Sequence, residues 1–499
     1  MSRGTDSSAK PAEGPETFGM LVGGEWGESE SGATRAATSP ATGERIAEVP
    51  AGTRADVRRA VDAATDTTAE LALRSNFERA ELVHELGDAV ERNLDHLAAW
   101  LTADQGKPLA EARREVELAI EMFRGAAEDI KRDEPPTIPS ELASRRIFTV
   151  RKPHGVLGVI TPWNFPLTIA TEYLAPGLAV GNAIVWVPAP TTTAISLAFA
   201  EVLADTSLPD GALNVVPGEG PIVGNEVVVN DGVDAIGFTG SPETGDHIAR
   251  EAGAKPTLLE LGGNGPVIVL DDADVDAAAR VAAAGCYGNA GQICTASERI
   301  LVHEDVHDAF VSTVLDYTKG VEIGDPTDES TDMGPLNNET VAEKMDRHVR
   351  DAVDGGATLL HGGSRVANMP TDLYYEPTVI DGVTPEMVVN HEETFGPIAP
   401  ILTFSTYDEA IEMANAIDLG LSSGVFTNNI ETMYYFVDRI ETGLVNVNAG
   451  SANWEIHTPI GGYSGKHSGV GRIGGRFTLE ELSQLKTVIV NNENADSPV

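Results

Sequence analysis

The sequence contains little cysteine, and it has no long apolar run. Its 499 residues include two cysteines, Cys286 and Cys294, which stand close together. Two thiols cannot build a disulfide framework, so a disulfide-stapled secreted protein is excluded and a reducing, cytoplasmic setting is expected. No stretch approaches the roughly 18 uninterrupted apolar residues of a spanning helix, so no membrane partner is expected.

Basic residues are also scarce, and lysine most of all. The chain has 9 Lys and 25 Arg against 77 Asp and Glu, for a formal net charge of −43. No local basic patch offsets this charge, which argues against binding to nucleic acid or to an anionic membrane surface. The acidic residues run through the whole length rather than forming a tail. That distribution favours the solvated acidic surface of a halophilic protein, where salt screens the repulsion.

Apolar residues are plentiful, at 41% of the chain, which excludes wholesale disorder. Residues 1–17 lack an apolar segment and are expected to form a disordered lead. Residues 54–130 show helical periodicity, and strand and helix patterns then alternate as far as residue 416. The predicted fold class is therefore α/β, with two βαβ units joined near Gly262. Residues 485–490 form a predicted strand without a local partner, which favours pairing with another subunit.

Three residues or segments could carry chemistry. Cys294 lies in the glycine-bounded loop 288–295, where a stabilised thiolate could act as a nucleophile, although a lone cysteine is more often inert. Cys286, in an Ala-rich helical segment, is interpreted as structural. Glu260 stands among leucines and before two glycines, a setting that raises the pKa toward that of a general base. Residues 237–241 follow a strand and open a helix, so Gly240 and Ser241 could cradle a pyrophosphate.

One segment matches the residue types of a zinc-binding motif but not the secondary structure that the motif requires. Residues 303–307 read H-E-D-V-H and match the H-E-x-x-H pattern of zinc proteases. That chemistry needs both histidines on one helical face. Here His303 ends a predicted strand and a predicted helix begins at Asp305, so no metal site is expected.

Six short motifs stand in the order that they have in the NAD(P)-dependent aldehyde dehydrogenase superfamily, which the chain resembles from about residue 18 onward. The motifs are P-W-N-F-P at 162–166, G-F-T-G-S at 237–241, L-E-L-G-G at 259–263, G-Q-I-C at 291–294, E-T-F-G-P at 393–397 and P-I-G-G-Y at 459–463. The resemblance implies a Rossmann-like cofactor domain at 18–132 and 153–262 and an α/β catalytic domain at 263–479. It also implies an oligomerisation arm at 133–152 and 480–495, in a homodimer or homotetramer.

The resemblance also implies roles for individual residues. Cys294 is the implied nucleophile, and Asn164 with the Cys294 N–H is implied to hold the oxyanion. Glu260 is the implied base that activates water to hydrolyse the thioester. The residues implied to hold the nicotinamide cofactor are Trp163, Gly240, Ser241, Gly262, Glu393 and Phe395.

The chain departs from the family pattern at the adenosine end of the cofactor. Val187 and Pro190 replace a Lys and a Glu that hold the adenine ribose in relatives. Loss of the carboxylate removes a repulsion toward a 2′-phosphate and favours NADP, whereas loss of the Lys acts the other way, so NAD stays open. A further Lys of the family is replaced by Tyr173, beside Glu172.

The substrate is predicted from the loop at 448–457, which corresponds to the substrate mouth of relatives. Trp454, Ser451 and Asn453 favour a small polar aldehyde, although Trp454 could equally be a packing anchor. The loop resembles that of haloarchaeal semialdehyde oxidisers, which suggests 2,5-dioxopentanoate. The alternatives are succinate semialdehyde, glycolaldehyde or betaine aldehyde, a CoA-acylating enzyme, or a silent scaffold. Retention of Glu260 disfavours the CoA-acylating enzyme, and the intact set of Cys294, Glu260 and Asn164 disfavours the scaffold.

Overall fold

The computed structural model describes residues 15–491. Its α-helices, in chain order, are α1 (Arg54–Leu73), α2 (Asn76–Arg92), α3 (Leu94–Gln105), α4 (Leu109–Lys131), α5 (Thr168–Val180), α6 (Thr193–Ala204), α7 (Asn225–Val229), α8 (Pro242–Glu251), α9 (Val275–Tyr287), α10 (His307–Thr318), α11 (Glu339–Asp354), α12 (Val388–His391), α13 (Tyr407–Asn415), α14 (Ile430–Val437) and α15 (Gly475–Glu481). None of these described helices is long and apolar enough to cross a membrane.

The strands of the same residues form four sheets. In chain order they are β1 (Glu16–Thr17), β2 (Met20–Val22), β3 (Glu25–Gly27), β4 (Thr34–Thr38), β5 (Arg45–Pro50), β6 (Thr137–Ile138), β7 (Arg145–Pro153), β8 (Val156–Ile160), β9 (Ala183–Val187), β10 (Leu213–Val215), β11 (Ala235–Thr239), β12 (Thr257–Glu260), β13 (Gly265–Val269), β14 (Ser297–His303), β15 (Thr358–His361), β16 (Thr378–Asp381), β17 (Ile398–Phe404), β18 (Ser422–Phe426), β19 (Leu444–Val447), β20 (Gly469–Val470) and β21 (Ser483–Asn491).

The first large sheet has the order β20-β12-β11-β8-β9-β10-β2-β3. Its five central strands, from β12 to β10, run parallel and are almost wholly buried, as expected when both faces of a sheet are covered. The chain leaves β8 toward β9 and β10 on one side and later returns to β11 and β12 on the other. Such a reversal opens a crevice at the carboxyl ends of the strands, which is where ligands bind in open α/β sheets.

The second large sheet has the order β15-β16-β17-β14-β13-β18-β19 and is parallel except for β15. Residues 261–264 connect β12 of the first sheet directly to β13 of the second, so Gly262 lies in the short link between them. The two largely parallel sheets with their helices confirm the α/β fold class.

The predicted strand at 485–490 is part of β21, and it does have a partner in its own chain. It pairs antiparallel with β7, from Ser483 opposite Pro153 to Asn491 opposite Arg145, and β6 completes a three-stranded sheet. The orphan-strand prediction is wrong because the partner lies far earlier in the sequence. Leu485 remains exposed on this sheet, as do Ile489 and Val490.

Two further predictions concern the ends of the chain, namely the disordered lead and the oligomerisation arm. Residues 1–14 of the predicted disordered lead, and residues 492–495 of the predicted arm, lie outside the described residues. Glu16 and Thr17, at the end of that lead, form β1 and pair parallel with Ala47 and Glu48 of β5. For these residues the prediction of disorder is wrong, because β5 supplies hydrogen-bonding partners that periodicity does not reveal.

Candidate active site

Cys294 lies in the loop that leads into β14, packed against the link between the two large sheets. A Cβ at Gly263 would lie 2.1 Å from the carbonyl oxygen of Cys294, so only glycine permits this approach. The turn before Cys294 is left-handed at three successive residues, with φ of 48° at Asn289, 54° at Ala290 and 74° at Gly291. Non-glycine residues adopt this conformation only where their surroundings hold them.

Asn289 makes the hydrogen bonds that hold this turn in its left-handed conformation. Its backbone N–H donates to the Glu111 carboxylate at 3.1 Å, and its Oδ1 accepts from Gln105 at 3.1 Å. Its Nδ2 donates to the carbonyl of Asn164 at 3.0 Å. Three separate segments therefore fix the turn that positions Cys294.

The Cys294 thiol is partly accessible but lies in an acidic and largely desolvated environment. Burial raises its pKa well above the usual value, and the charges of Glu393, Glu260 and Glu172 raise it further. The thiol is therefore protonated near neutral pH, and its attack on a carbonyl requires a proton acceptor.

Asn164 stands four residues after β8 and brings a side-chain amide to the Cys294 loop. Its Nδ2 donates to the carbonyl of Gln292 at 2.9 Å, which uses one of the two amide hydrogens. Among residues 15–491, the N–H of Cys294 makes no hydrogen bond. Within the described residues, one amide hydrogen of Asn164 and the N–H of Cys294 therefore have no acceptor, and an oxyanion hole needs such a pair of donors.

Glu260 is the last residue of β12, and its carboxyl is buried. Its Oε1 finds no hydrogen-bond partner in the described part of the chain. Burial raises its pKa well above the usual value, Glu172 raises it further, and Arg472 lowers it. A buried carboxyl without a partner is free to exchange a proton with a water or thiol in the crevice.

The predicted phosphate cradle lies at the start of α8. The Gly240 N–H donates to the carbonyl of Glu260 at 3.0 Å, and the Ser241 side chain caps the helix by accepting from the Thr244 N–H. A Cβ at Gly240 would lie 2.4 Å from the Phe238 ring, so the residue must stay small. This helix N-terminus fits a pyrophosphate group because its N–H groups and dipole favour negative charge.

The predicted nicotinamide contacts lie together on the other side of the link. The Glu393 carboxylate accepts the Gly263 N–H at 3.0 Å and lies against Gly262, where a Cβ would be 3.0 Å from Oε2. Burial raises the pKa of Glu393 to about 7. The Phe395 ring meets the Trp163 ring edge to face, 5.5 Å between centroids. These side chains fit a ribose and a flat ring, since carboxylates bind hydroxyls and aromatic faces stack.

Sequence reasoning missed the carboxylate that holds this segment. Glu298, buried at the start of β14, accepts the Thr394 N–H at 2.9 Å and the Phe395 N–H at 2.6 Å. These bonds hold Phe395 at a φ of 57°. The sequence gives no local sign of this pairing, because the partners lie far apart along the chain.

Arg35 was also missed, and it contacts Pro190, one of the two positions at which the chain departs from the family pattern. Its guanidinium donates to the carbonyl of Pro190 and pairs with Glu219 at 3.2 Å. The apolar side chain of Val187 is buried at the end of β9. A cation from β4 therefore lies beside position 190, where it pairs with Glu219.

A third missed group is a buried ion pair behind the site. Lys107 Nζ lies 2.5 Å from Glu115 Oε2 and donates to the Asn164 carbonyl at 3.0 Å. The other carboxylate oxygen of Glu115 accepts the N–H groups of Leu167 and Thr168 at 2.9 and 3.2 Å. The pair therefore fixes the segment that carries Asn164. The only sequence feature that could have drawn attention to Lys107 is the scarcity of lysine in this chain.

We expect Lys107→Met to destabilise the fold strongly, because it leaves the Glu115 charge buried without its partner. Loss of one member of a buried pair costs about 3–5 kcal/mol. Arg280→Met is the matched control, since its pair with Asp276 is exposed and should contribute little. Urea unfolding of both variants measures the difference. Equal midpoints for the two would contradict the structural role of Lys107.

The histidines of the H-E-x-x-H match lie on different elements, as expected. His303 ends β14 and accepts the Asp305 N–H, whereas His307 begins α10 and lies 2.8 Å from an oxygen of Asp381. In the described residues no three or more His, Cys, Asp or Glu side chains are grouped as a metal would require.

The surface loop at 448–457 agrees only in part with its predicted role. Trp454 is partly buried and packs against the hydrophobic core around the first large sheet. This position agrees with the alternative role of a packing anchor. Ser451 is completely buried, so it cannot offer its hydroxyl to a substrate at the loop surface. Asn453 is exposed and donates to Asn446 at 3.1 Å.

Several known proteins are similar to this chain over almost its whole length. The model of the aldehyde dehydrogenase family matches residues 26–488. The chain is 36% identical over 481 residues to the alpha-ketoglutaric semialdehyde dehydrogenase of Bacillus subtilis, covering 95% of this chain and 98% of that protein. It is also 36% identical over 476 residues to the mitochondrial succinate-semialdehyde dehydrogenase of Oryza sativa subsp. japonica, covering 95% and 89%. The crystal structure of an NAD-dependent aldehyde dehydrogenase from Sinorhizobium meliloti superposes with a TM-score of 0.93 at 38% identity, covering 98% and 97%. The chain therefore belongs to the aldehyde dehydrogenase family, whose members are NAD- or NADP-dependent enzymes.

Proposed function

We propose that this enzyme oxidises a small polar aldehyde to the carboxylic acid, with Cys294 as nucleophile and water as the final acyl acceptor. The Cys294 sulfur bonds to the carbonyl carbon, and its proton passes through water to the solvent. The Asn164 Nδ2 and the Cys294 N–H hold the resulting oxyanion. The nicotinamide cofactor, when bound, supplies the acceptor for the hydride that leaves this carbon.

The second half of the reaction releases the acyl group from Cys294. Glu260 takes a proton from water as the water oxygen bonds to the thioester carbon. The carbon–sulfur bond then breaks, and the leaving thiolate takes up the proton held by Glu260. The observation that carries the proposal is the buried, unpaired Oε1 of Glu260, because a carboxylate with no structural partner is available as a base. A CoA-acylating enzyme has no need of such a base.

Several residues support binding of a nicotinamide dinucleotide. Gly240 and Ser241 at the start of α8 would hold the pyrophosphate, and Glu393 with Phe395 would hold the ribose and ring. We propose a preference for NADP over NAD, because no carboxylate stands at position 190 and Arg35 lies beside it. Equilibrium dissociation constants for both oxidised cofactors test this preference without turnover.

Exposed apolar side chains of β21 support the predicted homodimer or homotetramer. Leu485, Ile489 and Val490 would be covered by a second copy of the chain. Light scattering in molar KCl measures the mass, and a monomer would contradict the proposal. Such salt suits a chain with a formal net charge of −43.

The reaction is tested by nicotinamide reduction without CoA, with each cofactor, across a panel of aldehydes. The panel includes 2,5-dioxopentanoate, predicted from the sequence and supported by the name of the Bacillus relative, and succinate semialdehyde, for which the rice relative is named. Glycolaldehyde and betaine aldehyde complete it. Reduction matched one to one by acid supports the proposal. A reaction that proceeds only when CoA is added would overturn it.

We expect the reactivity of Cys294 in the free enzyme to rise steeply with pH. A thiol with a raised pKa holds little thiolate at neutral pH, so its alkylation rate should increase tenfold per pH unit until that pKa is passed. Alkylation by iodoacetamide, followed on the Cys294 peptide by mass spectrometry, measures the profile. Cys286 is the internal control, because burial raises its pKa and shields it. A Cys294 midpoint below that of an ordinary thiol, about 8.5, would contradict the environment described.

A further inference from the structure

Buried side-chain amides join the two segments that carry the proposed oxyanion donors. The Asn164 Nδ2 donates to the carbonyl of Gln292, and Gln292 stands two residues before Cys294. The Asn289 Nδ2 donates in the other direction, to the carbonyl of Asn164, at 3.0 Å. The Gln292 Nε2 then donates to the Asn289 carbonyl at 2.8 Å. Because these amides are buried, water competes little for their bonds. The position of the Cys294 N–H relative to Asn164 therefore depends on Asn289.

Asn289 is held in a conformation that non-glycine residues avoid. Its φ is 48° and that of Ala290 is 54°, so the turn needs hydrogen bonds from outside to keep its shape. Glu111, in the first turn of α4, accepts the Asn289 N–H with both carboxylate oxygens, each 3.1 Å from the nitrogen. Gln105 donates to the Asn289 Oδ1 at 3.1 Å. Glu111 therefore holds the backbone of the turn, and Gln105 holds the side chain.

The same stretch of chain, residues 105–111, also holds the segment that carries Asn164. The Lys107 Nζ donates to the Asn164 carbonyl at 3.0 Å, and it lies over the Phe165 ring, 3.9 Å from the centroid. The Lys107 N–H donates to the Gln105 Oε1 at 2.9 Å. One stretch outside both donor segments thus fixes the two segments relative to each other.

We propose that Glu111 is a positioning residue for the oxyanion hole, which keeps the Cys294 N–H aligned with the Asn164 amide by holding Asn289. The inference rests on the proposed function and adds to it a residue that acts on the transition state through the turn. Without this acceptor, the turn can relax toward right-handed φ values and carry the Cys294 N–H out of line. Hydrogen bonds to a developing oxyanion weaken steeply with such misalignment. Acylation of Cys294 should therefore slow although every reacting group is still present.

The test uses 4-nitrophenyl acetate, an ester that acylates a thiol without cofactor or aldehyde. The Cys294 sulfur bonds to the ester carbonyl carbon and loses its proton to solvent, which places an oxyanion on that carbon. The carbon–oxygen bond then breaks and releases 4-nitrophenolate. Single turnovers with enzyme in excess, followed by the absorbance of 4-nitrophenolate, give the acylation rate. Cys294→Ala supplies the background from other nucleophiles.

Glu111→Met removes the acceptor at nearly constant side-chain length. We expect it to lower the acylation rate about tenfold or more, toward the cost of about 10²–10³-fold for a lost oxyanion donor. Glu111→Gln keeps a carbonyl oxygen for the Asn289 N–H and should stay within about threefold of wild type. Glu111→Asp withdraws the carboxylate by one methylene; it should fall between these two and takes the place of Glu111→Met if that variant does not fold. Glu117→Met, at an exposed position of the same helix, is the control and should leave the rate unchanged.

Asn164→Ala provides a readout that a purely structural role would not change. With one donor already removed, Glu111→Met has less alignment left to disturb and should lower the rate by no more than about threefold in this background. An equal loss in both backgrounds would overturn the inference, because Glu111 would then act by another route. Alkylation by iodoacetamide forms no oxyanion, so its rate at Cys294 should change by less than about twofold in Glu111→Met. A loss there as large as that in acylation would indicate a displaced sulfur and would also overturn the inference.

The ester assay separates this inference from the proposed function. A wild-type enzyme that releases no 4-nitrophenolate above the Cys294→Ala background would contradict Cys294 as the nucleophile, and the inference would fall with it. Wild-type release above that background, with Glu111→Met and Glu111→Asp both within about twofold of the wild-type rate, overturns the inference alone.

Discussion

Cys294→Ala is expected to abolish aldehyde oxidation, with kcat falling by at least about 10⁴-fold, as removal of a covalent nucleophile does. No other thiol can take its place. Cys286 lies in α9 with its sulfur 3.2 Å from the Ala282 carbonyl and 3.1 Å from that of Ser297, and it is buried. Steady-state nicotinamide reduction under saturating aldehyde measures the loss.

The matched control is Cys286→Ala, which removes the other thiol from the chain. Its activity per folded molecule should stay close to wild type, since Cys286 only fills space between α9 and β14. Cofactor binding by Cys294→Ala should also be retained, which separates lost chemistry from lost structure. Appreciable turnover by Cys294→Ala, with Cys286→Ala inactive, would reverse the two assignments.

Glu260→Gln is expected to separate the two halves of the reaction. The acyl group should form on Cys294 and then stay there, because the glutamine cannot take the proton from water. Rapid mixing should show a burst of reduced nicotinamide approaching one equivalent per site, followed by a steady rate about 10²–10³-fold below wild type. The glutamine keeps the size of the side chain, so the cleft is not enlarged.

Glu251→Gln, at the end of α8, serves as the control, since it removes an exposed carboxylate and should show neither a burst nor a slowed steady rate. If Glu260→Gln turned over at the wild-type rate, another group would be the base. If it showed neither burst nor steady reduction, Glu260 would be needed to deprotonate the thiol before any acyl group forms.

Much of the architecture was predictable because it is local. The alternation of strand and helix patterns as far as residue 416 implied a parallel sheet, and β8, β9 and their parallel partners lie in that stretch. Glycine-bounded segments around Cys294, Glu260 and Gly240 marked the close approaches of backbone that a ligand cleft needs. The structure shows the same segments meeting at the ends of β8, β11 and β12.

What escaped prediction depends on partners distant in sequence. No local sequence pattern indicates three of these contacts: the pairing of β21 with β7, the hydrogen bond from the Phe395 N–H to Glu298, and the contact of Arg35 with Pro190. Lys107 and Glu115 similarly act on Asn164 from another segment. Such buried polar networks are recognisable only once the fold brings their members together.

The most direct test of the central claim is to find the acyl group itself. Glu260→Gln is mixed with aldehyde and oxidised cofactor, quenched in acid after the burst, digested and examined by mass spectrometry. The account predicts one acyl group, with the mass of the acid less water, on the peptide that contains Cys294 and on no other. A burst without that adduct, or an adduct on Cys286, would contradict it.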